Sequence, residues 1–380
     1  SRQQALGHEV WVAARKENDF AKFAPTLERI FELTRQKAEY FGYKDHIYSA
    51  LLDEYETDTT YTDVVNVFTE MKPYAVSLAH AIAGSKNPVD ASPISGDFDI
   101  AKQRELTLKV VEKLGFDFHC GRQDEAAHPF CNNASRYDVR LTTRFDRKYM
   151  AQALYASLHE AGHGMYEQGS PERFEGTVLA GGTSLGVHES QSRMWENLVG
   201  RSRNFCKWVF PIVKEYLPQM ENTTAEGFYR AVNKVEPSFI RVEADEVTYN
   251  LHILLRFEIE CGLLNGEIAF KDVPEVWNAK MQEYLGITPS TDSEGCLQDV
   301  HWSEGLIGYF PTYTLGNLIS AQMFHKLRTA HPNLDAEIEQ GNFTSVLGWL
   351  RENVHGYGAK FFPREVVLKA TGEPLNSKYY

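Results

Sequence analysis

Residues 146–169 read DRKYMAQALYASLHEAGHGMYEQG, and the middle of that stretch carries His159, Glu160 and His163 in the pattern H-E-x-x-H. Asp146 can accept the free N–H groups of a first helical turn, Ala, Leu, Met and Gln favour a helix body, and Gly169 with Pro171 supplies a stop. The spacing predicts one helix. With about 3.6 residues per turn, side chains four positions apart stand one above the other, so both imidazoles leave the same face and can share one metal ion. Glu160 is rotated from His159 by about 100°, which sets it beside the ion rather than on it. There a carboxylate can act as general base toward an attacking water. A catalytic site of this kind normally takes three protein ligands, so a third must come from elsewhere in the chain.

The segment GTSLGVHESQSR, residues 182–193, offers it. Glu189 is the best candidate. It lies beyond a glycine-rich break (Gly176, Gly181, Gly182, Gly186), early in a run at 187–199 that reads as a second helix, and an antiparallel return would lay it over the His pair. His188 and Glu196 compete for the role, and Glu196, seven positions on, shares the helical face of Glu189. A third histidine in the metzincin spacing is disfavoured, because Tyr166 stands where that pattern has Gly and Gly169 where it has His.

At 380 residues the chain can bury a large core, as one helical domain or as two subdomains flanking a cleft. A net charge of −13 argues against nucleic-acid or anionic-membrane partners, which need a basic footprint, and leaves soluble peptides as ligands. No apolar run approaches the ~18 residues of a membrane span. The chain opens on Ser1 in what already reads as helix, with no secretory signal, and is expected to be a processed or truncated piece. Cys120, Cys131, Cys206, Cys261 and Cys296 are odd in number and scattered, with no C-x-x-C pairing, as reduced thiols in a cytoplasmic protein would be.

Apolar spacing predicts helices at 25–40, at 60–82 with a kink or break at Pro73, and near 99–114. Further helices are expected at 204–217, 225–233, 238–263, 272–284, 315–327, 334–340, 343–353 and 363–371. Between residues 115 and 145 the pattern changes to period two at 116–119 and 137–145, which predicts short strands in a small antiparallel sheet feeding the H-E-x-x-H helix. In DVRLT, residues 138–142, Asp138 and Arg140 share one strand face, as a row bordering the site or as a plain surface pair. In IRVEAD, residues 240–245, Arg241 and Asp245 sit four apart, so Asp245 can hold an Arg241 fork toward a carboxylate. In GCLQDVHW and the aromatic segment after it, His301, Tyr309 and Tyr313 are donors able to stabilise an oxyanion, with Gln298 and Asp299 placed to orient them.

The motifs DVRLT, HEAGH, HESQSR, IRVEAD and GCLQDVHW, in that order, resemble the carboxypeptidase Taq family of H-E-x-x-H metallocarboxypeptidases, also called thermostable carboxypeptidase 1. GLIGYFPTYTLGNL and ATGEPL extend the likeness toward the C-terminus. The resemblance implies a mostly helical, saddle-shaped homodimer with a deep groove and a small sheet, similar to the neurolysin and angiotensin-converting-enzyme folds. Residues 1–380 would be one catalytic domain, lacking the N-terminal helices and last C-terminal helix that members carry. The implied activity is removal of single residues from peptide C-termini with one Zn²⁺ or Co²⁺ bound. Position by position, His159, His163 and Glu189 match the metal ligands and Glu160 the general base. Arg241 is the expected grip on the substrate's terminal carboxylate, with Arg140 as the alternative, and His301 with Tyr309 or Tyr313 stabilises the tetrahedral intermediate. Two rival readings share these residues: a zinc endopeptidase or dipeptidyl carboxypeptidase, and a catalytically silent peptide-binding homologue.

Overall fold

The computed structural model describes residues 2–380, which hold fifteen α-helices and three strands. The first helices are α1 (Arg2–Glu17), α2 (Phe20–Phe41), α3 (Ile47–Leu52), α4 (Tyr61–Ala83) and α5 (Ile100–Leu114). Strands β1 (Gly121–Glu125), β2 (Cys131–Ser135) and β3 (Asp138–Thr143) follow. After them come α6 (Met150–Gln168), α7 (Leu185–Arg193), α8 (Arg203–Tyr216), α9 (Ala225–Val232), α10 (Glu246–Asn265) and α11 (Val273–Leu285). The chain ends with α12 (Pro311–Ala330), α13 (Leu334–Glu339), α14 (Thr344–Asn353) and α15 (Pro363–Thr371). The residues fall into two compact units, one comprising the chain up to Lys86 together with Val235–Thr314, the other Asn87–Lys234 with Leu315–Tyr380.

End signals set many of these helices. Asp19, Asp99 and Ser184 accept an N–H in the first turn of α2, α5 and α7, and Thr60 with Asp63 makes a capping box on α4. Pro73 stays inside α4 without dividing it, because Val64, Phe68, Met71, Ala75 and Ala79 bury one stripe on both sides of it. In the first unit α10 packs against α4 and α11, and the Phe257 ring meets Tyr48 and Phe68 edge-on. The helix expected from residue 238 begins only at Glu246: Asp245 accepts the N–H groups of Val247 and Thr248 as its cap, and Arg241 lies in a separate single turn, Arg241–Glu243.

In the second unit the sheet is mixed rather than antiparallel. Its order is β1-β3-β2, with β1 parallel and β2 antiparallel to β3, because β3 enters between the two strands that precede it. Residues 116–119 form no strand. They are a turn in which the Asp117 carboxylate accepts from His119 N at 2.8 Å and its carbonyl from Cys120 N at 3.1 Å. Val139 and Leu141 are fully buried, and Leu141 lies against Gly164 of α6.

Helix α6 starts three residues later than its sequence suggests, with Tyr149 and not Asp146 at the cap position. The carbonyls of Arg147 and Lys148 accept from Phe98 N and Gly96 N at 2.8 and 2.9 Å, holding that stretch out of the helix, while Asp146 accepts from Lys148 N in a local turn. Gly162 then brings α6 hard against α7: a Cβ there would lie 2.6 Å from Ser192 Cα and 2.7 Å from the Gln191 carbonyl oxygen. Beyond Arg193 the helix continues as a wider π-type turn, Met194–Val199, which carries Glu196. Among the described residues no helix is long and apolar enough to cross a membrane.

Candidate metal centre

His159 and His163 stand one turn apart on α6, and the close approach at Gly162 lays Glu189 of α7 across them. Glu189 Oε2 is 3.5 Å from the Nε2 atom of each histidine, and one ligand atom from each of the three residues lies within 4.8 Å of the others. The remaining ring nitrogens are engaged elsewhere. His159 Nδ1 meets Glu196 Oε2 at 2.8 Å, and His163 Nδ1 meets His188 Nδ1 at 2.7 Å. Both imidazoles thus present Nε2 to one point, with Nδ1 used to hold the ring. Two imidazoles and a carboxylate suit Zn²⁺ or its first-row neighbours, whereas Ca²⁺ and Mg²⁺ prefer oxygen-only sets, so the donor chemistry fits the expected ion.

A ring of charge fixes Glu189. Arg193 Nε donates to Glu189 Oε1 at 2.7 Å and Ser192 Oγ to Oε2 at 3.2 Å, and Arg193 with Arg201 also donates to Glu196. Burial pushes the Glu189 carboxyl up, but the Arg193 charge and then His159 outweigh it and hold it well below the usual range. Burial opposes Glu196 too, yet the His159 hydrogen bond and Arg193 hold it at about 2. Gly316 of α12 completes the fit, since a Cβ there would lie 2.5 Å from Glu189 Cγ. His188 and Glu196, rivals for the third position on sequence alone, instead contact the backs of the two histidines.

Glu160 is buried, 6 % exposed, and burial raises its carboxyl to about 7; His159 pulls against this, while Glu189 and Glu196 add to it. Burial, and after it the charges of Glu160 and Glu167, push the Cys131 thiol well up. Asp138 and Arg140 form a bidentate pair at 2.7 and 2.8 Å on the exposed face of β3.

The first unit holds the other expected residues in its own network. Asp245 does not hold Arg241. The carboxylate that does is Asp299, whose Oδ1 accepts from Arg241 Nε at 3.1 Å and Nη2 at 2.8 Å. Asp299 Oδ2 accepts from Arg256 Nε at 2.7 Å and pairs with Nη2 at 2.6 Å. Asp245 is spent on capping α10, the physical reason the four-residue spacing misleads. Arg241 Nη1 donates to Tyr249 Oη at 2.8 Å, and its backbone N–H to Gln298 Oε1 at 2.8 Å. His301 lies with Nδ1 3.8 Å from Asp299 Oδ1 and Nε2 3.2 Å from Tyr313 Oη, and the Tyr309 ring centre is 5.3 Å from its own. Sequence reasoning missed Arg193, Tyr249 and Arg256. The available signal for Arg256 is a lone arginine inside the apolar run LHILLRF.

The chain is 43% identical over 370 residues to carboxypeptidase 1 of Bacillus subtilis, covering 97% of this chain and 74% of that one. It is 41% identical over 382 residues to thermostable carboxypeptidase 1 of Pyrococcus furiosus, covering 100% and 77%. A solved structure of the Pyrococcus furiosus carboxypeptidase superposes with a TM-score of 0.97 at 41% identity, over 100% of this chain and 77% of that one. That of Trypanosoma cruzi metallocarboxypeptidase 1 superposes with a TM-score of 0.94 at 36% identity and the same coverage. The family described as carboxypeptidase Taq (M32) metallopeptidase matches residues 1–380, and the chain belongs to it.

Proposed function

We propose that this protein is a metallocarboxypeptidase releasing single amino acids from peptide C-termini, and that residues 1–380 act as one catalytic domain. The observation that carries this reading is the convergence of His159 Nε2, His163 Nε2 and Glu189 Oε2 beside a buried Glu160. His159, His163 and Glu189 would hold one ion per chain, Zn²⁺ or Co²⁺. When bound, such an ion supplies Lewis acidity toward water and the scissile carbonyl.

Glu160 takes a proton from the water whose oxygen bonds to the carbonyl carbon, and passes it to the amine nitrogen as the C–N bond breaks. His301, with Tyr313 or Tyr309, donates to the oxygen on which negative charge develops. Arg241 pairs with the terminal carboxylate. Three of its five N–H groups are used by Asp299 and Tyr249, which leaves one on each terminal nitrogen for a carboxylate. Arg140, already paired to Asp138 at an exposed edge, is the weaker choice for that task.

A cytoplasmic homodimer completes the proposal. Its support is the family likeness and the five free thiols, which suit a reducing compartment; light scattering tests the dimer. Activity is tested by mass spectrometry of mixed peptides incubated with metal-reconstituted protein. The expected result is a ladder of single C-terminal losses, absent after chelation and absent with C-terminally amidated peptides. Internal cuts or dipeptide loss would refute it in favour of an endopeptidase or dipeptidyl carboxypeptidase, and no cleavage would mean a silent peptide-binding homologue.

A further inference from the structure

His188 is not spent on the ion, and its contacts assign it a different task. Its Nδ1 lies 2.7 Å from His163 Nδ1, and its Nε2 lies 2.5 Å from Glu167 Oε1. The other oxygen of Glu167 accepts from Asn133 Nδ2 on β2 at 2.9 Å. Two ring nitrogens at hydrogen-bond distance need one proton between them. A ligand imidazole must keep the lone pair of its coordinating nitrogen, and His163 presents Nε2 toward Glu189, so its proton sits on Nδ1 and His188 Nδ1 accepts it. The proton of His188 then sits on Nε2 and is donated to Glu167. The protons of the two rings thus point the same way, from His163 through His188 to Glu167.

We propose that His188 is the positioning residue of the metal ligand His163, and that His188, Glu167 and Asn133 form a relay fastening that ligand to strand β2. The two ligand histidines are therefore held unequally. His159 meets the carboxylate of Glu196 directly, whereas His163 meets a neutral acceptor with the carboxylate one ring further away. Tyr166 and Gly182 fix the intermediate ring: the Tyr166 and His188 ring centres are 4.9 Å apart, and a Cβ on Gly182 would lie 2.7 Å from His188 Cδ2. A ring so confined can turn neither nitrogen away from its partner.

The inference rests on the metal-site reading, and the test separates the two. Co²⁺ affinity is measured by competition with a chromogenic chelator, and ligand geometry by the visible absorption of the Co²⁺-loaded protein. His188→Asn puts an amide oxygen where Nδ1 stood, keeping the acceptor for His163 and losing the link to Glu167. His188→Gln puts its amide near the Nε2 position, keeping the link to Glu167 and losing the acceptor. We expect His188→Asn to bind within about threefold of wild type, and His188→Gln to bind about 10–100-fold more weakly with a shifted Co²⁺ spectrum, the usual cost of losing the partner of a ligand histidine. A merely structural His188 would favour neither. Wild-type affinity and spectrum in His188→Gln, or an equal loss in His188→Asn, would overturn the relay. Failure of wild type to bind Co²⁺, or undiminished binding by His163→Ala, would instead overturn the metal site itself.

Discussion

Asp299→Asn removes one negative charge from between two buried positive ones. The Asp299 carboxylate faces four nitrogens, Nε and Nη2 of Arg241 and of Arg256, at 2.6 to 3.1 Å, and the Arg256 side chain is 0% exposed. In the variant the amide oxygen can still serve one guanidinium, while the new NH₂ points its hydrogens at the N–H groups of the other. Breaking a buried pair in this way costs about 3–5 kcal/mol, most of it the burden of the charge left behind. For a unit of roughly 150–250 residues each kcal/mol shifts Tm by about 2–4 °C, so the transition should fall by roughly 6–20 °C in calorimetry. Burial pushes the Asp299 carboxyl up, but Arg241 and then Arg256 outweigh it and hold it far below its ordinary value. A depressed carboxyl contributes its stability above the unfolded value near 3.9 and loses it as pH falls through the folded one. The gap between wild type and variant should therefore stay full above about pH 4 and close only in stronger acid. Asp299→Asn combined with Arg256→Met removes the stranded charge and should recover more than half of the loss. A single variant melting within about 2 °C of wild type, or a double variant no better than the single, would refute the buried-clamp reasoning.

Glu160→Gln should keep Co²⁺ affinity and lower kcat by about 10²–10⁴, the usual worth of a general base; a metal-loaded variant at wild-type rate would exclude the assignment. Gly316→Ala drives a methyl into Glu189 Cγ and should weaken ion binding by roughly tenfold or more without unfolding the protein, a claim that an unchanged chelator competition curve would disprove. Burial raises the Glu260 carboxyl to about 7 against the hydrogen bonds of Tyr48 and Trp302. A raised carboxyl contributes stability below its unfolded value that is lost as pH rises through the folded one, so the advantage of wild type over Glu260→Gln should shrink by up to about 3 kcal/mol between pH 4.5 and pH 8. A pH-independent gap in denaturant titrations would count against it.

What could be read from the chain, and what could not, divides by the range of the interaction. HEAGH carries its geometry locally, because a helix fixes the relation of His159, Glu160 and His163 whatever surrounds it. Many helix boundaries were legible for the same reason, as at the start of α5, expected near residue 99 and capped by Asp99. Three failures involve a local signal outvoted by a competing contact. Asp146 looks like a cap, yet residues 96 and 98 tie up the backbone that follows it. Residues 116–119 alternate like a strand, yet the sheet takes 121–125 and runs it parallel to β3, a direction that no period-two pattern encodes. Arg241 and Asp245 have ion-pair spacing only if a helix spans both, and Asp245 ends that prospect by capping the helix itself. Arg256 shows how far such reading can go. An arginine in LHILLRF requires a buried acceptor, because its charge cannot otherwise leave water. The requirement names the chemistry of the partner and not its address, and only packing selects Asp299, 43 positions away, which Arg241 also uses. The motifs that looked separate in the sequence, IRVEAD and GCLQDVHW, are thus two halves of one clamp whose third member sits in neither.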